Sequence, residues 1–235
     1  MEEKLISMKE RGAGMDQQQN TTKLTTLKDQ IWENLTISNN FIFTQVLKNP
    51  ELCKGVLERL LDIHINHIEY PKDSKIMRLD VYLDDGKDTI CYVVLQVATD
   101  GTSDQLSYKA GYLQKAIDLE AIAQGMYYNE LPDSFVIFIC TFDVFGQDLW
   151  EYTFQNKCKE SDVSLDDGLT IIFFNTSGIK GTISKDTENI LKFIQDNVVK
   201  DDFTKELAQE VQRIKKDEEC KKEYMVSLDA EIGKV

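Results

Sequence analysis

Histidine and proline are scarce in this chain, with 2 and 3 residues, and its 5 cysteines form no CxxC or CxxxC pair. With only His64 and His67 beside the thiols, the ligand clusters of a structural zinc site are missing. The two histidines are three residues apart, a spacing that allows a metal contact, although solvated or capping histidines are the commoner outcome. Cys53, Cys91 and Cys140 each sit in an apolar segment, where a reduced thiol behaves as a small hydrophobe. Free thiols of this kind belong to a reducing compartment. Long hydrophobic runs are also lacking: no stretch approaches the roughly 20 apolar residues that cross a bilayer, and Met1–Asn20 has no apolar run that could act as a secretory signal. The expectation is a cytoplasmic protein with no membrane partner. Positive charge is the minority sign, 27 basic against 41 acidic residues for a net charge of −14. A polyanion is then approached only if basic residues gather on one face.

What is present is a mixed α/β pattern. Residues 1–22, polar and rich in Gln, Lys and Glu, are expected to form a disordered leader, with Met15 as a second conceivable start. From Leu24 the apolar spacing turns helical through Leu27, Ile31, Trp32 and Leu35, then through Ile42, Phe43, Val46 and Leu47. Pro50 suits the first turn of a further helix carrying Leu52, Val56, Leu57, Leu60 and Leu61. Alternation in "DIHINHIEYP" suggests a short strand ending at Tyr70. Two β-rich runs, Met77–Leu83 and Thr89–Ala98, flank Asp84-Asp85-Gly86-Lys87, whose Asp-Gly step signals a hairpin. A helix is expected from about Gln105 to Gln124, a buried strand at "SFVIFICTF", and strands near Trp150–Phe154 and at Leu169–Asn175. Helices follow over Lys185–Val198 and, as one long charged segment, from Asp202 towards Asp229. The domain expectation is therefore a leader over 1–22, an α/β domain over 23–200 and a charged helical extension over 201–235, with a mixed sheet flanked by helices.

Chemistry is concentrated in the hairpin. Asp80 lies between Leu79 and Val81 in an apolar strand, so alternation sets it on the other face from them. Gln96 and Val94 share a face of the partner strand, and pairing could bring Asp80 close to it. Two carboxylates on neighbouring strands are a common way to hold Mg²⁺, a hard cation that takes oxygen ligands and activates water. Here one carboxylate, Asp80, is present, and Val94 has no lone pair to offer. A lone strand aspartate is more often paired with a nearby cation such as Arg78. The following helix offers Lys109, Gln114, Asp118 and Glu120. Gln114 and Asp118 share a helix face, as cleft lining or as an ordinary surface pair.

The chain resembles the transposase-type PD-(D/E)XK nuclease family, related to bacterial recombination-promoting nucleases. The resemblance runs from about Leu35 to near Met225. It is carried by "LTISNNFIF", "NPELCKGVLERLL", "RLDVYLDD" leading to "YVVLQ", "YLQKAIDLEAIAQGMYY", "SFVIFICTFDVFG", "YTFQNKCKE", "DGLTIIFFNTSG" and "KKEYM". It implies a restriction-endonuclease-like α/β fold and Mg²⁺-dependent cleavage of DNA. In the family an aspartate and a glutamate bind the metal, and a glutamine takes the place of the superfamily's lysine. Asp80 matches that aspartate and Gln96 that glutamine, while Val94 falls on the glutamate. Asn40 stands where the family tends to have an aspartate, and Gly111 where a second arginine is common at the phosphate-facing helix start. Lys109 keeps one positive charge there. Tyr112, Gln114, Asp118 and Gly125 are retained. Some enzymes of this type recruit an acid from a neighbouring helix, for which Asp118 and Glu120 are the candidates.

Three functions follow as expectations. The first is a DNA endonuclease, with Asp80 on the metal, Gln96 orienting water or phosphate, and Lys109 steadying phosphate charge. The second is a pseudo-nuclease of the same fold that binds nucleic acid or protein. The third is an interaction protein forming a homo-oligomer through its C-terminal helix.

Overall fold

The computed structural model describes residues 17–70, 79–84, 89–96, 103–123, 127 and 133–232. Seven helices occur among them: α1 (Gln17–Glu33), α2 (Asn40–Leu47), α3 (Pro50–Leu61), α4 (Ser103–Ala123), α5 (Lys185–Asp196), α6 (Asp202–Lys215) and α7 (Glu218–Ile232). The strands are β1 (His67–Glu69), β2 (Leu79–Asp84), β3 (Thr89–Gln96), β4 (Ser134–Cys140), β5 (Glu151–Phe154) and β6 (Leu169–Asn175). The mixed α/β expectation holds in that form.

Local chemistry sets the helix ends. The Asn39 side chain accepts from the amides of Phe41 and Ile42 and starts α2, and Asn49 accepts from Glu51 with Pro50 in the first turn of α3. These caps satisfy amides that have no partner inside the helix. Ser184 caps α5, and Asn197 ends it in the left-handed conformation at φ 57°.

The strands form one 6-stranded sheet in the order β1-β2-β3-β4-β6-β5. β1, β2 and β3 make an antiparallel meander. β4 then lies parallel to β3, and β6 parallel to β4. A parallel neighbour requires a crossover, and α4 supplies it. β5 turns back antiparallel on β6 and closes the far edge. On one face of the sheet Val136, Phe138, Cys140, Tyr152 and Phe173 form a buried cluster with Leu106, Ala110 and Leu113 of α4. Phe138 and Phe173 stack there at 4.8 Å. The alternate positions Ile137 and Ile139 are equally buried, so β4 is covered on both sides, as its unbroken apolar run predicts. α2 runs beside β3, and α3 beside β1 and α5.

The chain divides into two compact units, residues 37–208 and residues 1–36 with 209–235. The first contains the sheet. Within it α3 approaches the start of α6 closely: a Cβ on Gly55 would clash with the Phe203 ring, over which the Arg59 guanidinium sits at 3.9 Å. In the second unit the Trp32 indole N–H donates to the Lys215 carbonyl at 3.1 Å. Its ring lies 5.5 Å from that of Tyr224, and Lys28 and Lys221 pair with Asp229 and Asp29.

This division differs from the expected boundaries after residues 22 and 200. α1 begins at Gln17, inside the stretch expected to be leader, and residues 1–16 lie outside the described ones. The C-terminal segment is two helices and not one, broken near Asp217, whose carboxylate accepts from the Glu219 and Cys220 amides and so starts α7. Its charge does not leave it wholly in solvent, because Val211, Ile214, Tyr224 and Leu228 are buried.

Candidate functional site

The hairpin register fixes the positions of the residues singled out in the sequence. Asp80 pairs with Tyr92, and ladder partners share a face, as do alternate residues of one strand. Asp80, Tyr92, Val94 and Gln96 therefore belong to one face. Val94 is the diagonal neighbour of Asp80, about 7–8 Å away in ladder geometry. In the next pairing Val94 stands opposite Phe138 and Gln96 opposite Cys140. Phe138 and Cys140 are the residues that α4 covers, so Asp80, Val94 and Gln96 line the α4-covered face. At these three positions, and at Gln114, Asp118 and Glu120 on α4, the described structure gives the backbone and not the side chain. Gly125 lies outside the described residues, as do Met77, Arg78 and the Asp85–Lys87 stretch of the expected turn.

Lys109 is described in full. Its side chain is exposed in part; burial of the remainder pulls its ammonium below the ordinary lysine range, opposed by Cys140. The influence is mutual. Burial pushes the Cys140 thiol up to about 12, the Asp143 charge adds to the rise, and Lys109 works against it. Lys109, Cys140 and Asp143 thus gather where β4 ends, beside the register position of Gln96. The carboxyl ends of parallel strands are where open α/β sheets usually bind ligands.

Sequence reasoning did not single out Asp143. Its Oδ1 accepts from the Tyr152 hydroxyl at 2.7 Å and the Phe145 amide at 3.1 Å, and its Oδ2 from the Asp148 amide at 2.6 Å. Tyr152 in turn accepts from the amides of Gln147 and Leu149. Partial burial acts to raise the Asp143 pKa, but the bonds from Tyr152, Asp148, Phe145 and Gly146 outweigh it and hold the carboxyl below its usual range. The available signal was Asp-Val-Phe-Gly directly after an apolar strand, since a short acidic side chain readily binds the backbone two residues on. Asp143 is a loop organiser, and replacing it tests this. Asp143→Asn sets an amide N–H against one of the donors and is expected to cost about 1–2 kcal/mol at neutral pH. Because the folded carboxyl has the lower pKa, its contribution is complete above the ordinary aspartate value of about 3.9 and fades as pH falls below it. Urea unfolding of both proteins at neutral and strongly acid pH should show a gap that narrows in acid, and an unchanged gap would remove the carboxylate's role.

The chemistry available at this end of β4 is limited. A thiol held near 12 is un-ionised at neutral pH and is no nucleophile. Asp143 has both oxygens committed. Lys109 is the cationic side chain of the cluster, beside the Cys140 thiol. The donors on the neighbouring strands, one carboxylate at Asp80 and one amide oxygen at Gln96 with none at Val94, do not fit the carboxylate-rich set that Mg²⁺ requires. Asp118 and Glu120 are two residues apart, about 200° around the helix. Their positions fall on opposite flanks of α4, that of Glu120 on the flank of Lys109.

The remaining candidates lie elsewhere. His64 Nδ1 is 3.0 Å from Glu58 Oε1, and that oxygen also accepts from the Ile65 amide. Glu58 so caps that turn with the exposed His64 beside it, His67 opens β1, and no group of three or more His, Cys, Asp or Glu able to hold a metal occurs among the described residues. Asn40 is exposed in the first turn of α2. A cavity of about 240 Å³ opens at the other, amino-terminal ends of β4 and β6, lined among others by Asp133, Gln155, Asn156, Asp166 and Asp167. Its carboxylates would repel phosphate, and it lies away from the Lys109 cluster. No described helix is long and apolar enough to cross a membrane.

Compared with family models, characterised proteins and solved structures, the chain finds no match.

Proposed function

We propose that the chain is a restriction-endonuclease-like protein of the PD-(D/E)XK type, allied to transposase and recombination-promoting nucleases, whose Mg²⁺-dependent DNA cleavage is impaired at Val94. The observation that carries this reading is the ladder register. It aligns Asp80, Val94 and Gln96 on the one sheet face that α4 covers, with Lys109 at its carboxyl end. That is the order in which the family's aspartate, glutamate and glutamine would have to stand. With valine in the middle position, the ion loses one of two anionic ligands. A second reading is a non-catalytic module that binds nucleic acid or protein in the same cleft. It is favoured by the missing carboxylate at Val94, and the net charge of −14 directs such a module towards a protein more than towards a polyanion.

The test is nicking of supercoiled plasmid with Mg²⁺ or Mn²⁺ by the wild-type chain and Asp80→Ala. The expected result is two proteins that nick equally slowly, within a fewfold of the buffer. Wild-type cleavage that vanishes in Asp80→Ala would overturn the impairment and point to Glu120 or Asp118 as a recruited ligand. A salt-sensitive shift of DNA, with no cleavage, would support the binding module, because phosphate contacts release counterions.

A further inference from the structure

We draw no further inference here: the strongest candidate, the cavity of about 240 Å³ at the amino-terminal ends of β4 and β6, is a cluster of the carboxylates of Asp133, Asp166 and Asp167 for which nothing else in the structure points to a ligand.

Discussion

Val94→Glu is expected to raise Mg²⁺-dependent nicking of supercoiled plasmid by about 10²–10³-fold over the wild type, the return on the several kcal/mol that a bound metal supplies. The substitution restores a carboxylate at the diagonal neighbour of Asp80 and leaves Gln96 and Lys109 in place. It also has a cost. Val94 stands in register with Phe138, which is fully buried, so a carboxylate there is desolvated unless a cation neutralises it. The variant should then melt below the wild type without metal and recover with Mg²⁺, while the wild type responds to Mg²⁺ little. That thermal readout needs no catalysis. If it recovers without cutting, the ion binds and another part of the cleft is lost. If it neither recovers nor cuts while remaining folded, Asp80 and Val94 do not share a metal site, and the nuclease reading falls with them.

The extent to which these features were legible in the sequence follows from the range of each signal. Leu169–Asn175 was found with its own ends, and α4 to within two residues at its start, because apolar runs and helical periodicity are local. Asp84-Asp85-Gly86 announced a hairpin, and β2 and β3 do pair antiparallel. Partner choice beyond neighbours was not legible. Nothing in Glu151–Phe154 says that it pairs with β6 on the outer edge and not with β4, which precedes it. The face shared by Asp80, Val94 and Gln96 could be argued from alternation; that α4 covers this face needed the parallel register with Phe138 and Cys140. Asp143 was legible only in its bond to the Phe145 amide. Its value lies in donors from residues 145 to 152, which a spacing rule does not collect.

The C-terminal helices show the same limit with the largest consequence for stability. Their charge marked an extension and hid its apolar stripe: Tyr224 and Leu228 lie on the buried side of α7, and Trp32 of α1, fully buried, is hydrogen-bonded to Lys215. Trp32→Ala removes the largest side chain of that unit and leaves a carbonyl without its donor. The expected loss is about 3–5 kcal/mol. Trp32→Phe keeps most of the ring contact with Tyr224 and loses the indole N–H, so it should cost about 1–2 kcal/mol. Hydrogen exchange resolved along the chain gives the location. In Trp32→Ala, Gln17–Glu33 and Glu218–Ile232 should lose protection together, although some 200 residues separate them in sequence, while Ser134–Cys140 and Leu169–Asn175 keep theirs. Loss confined to α1 would mean that α7 holds its place without it, and loss across the sheet would mean that the two units unfold as one.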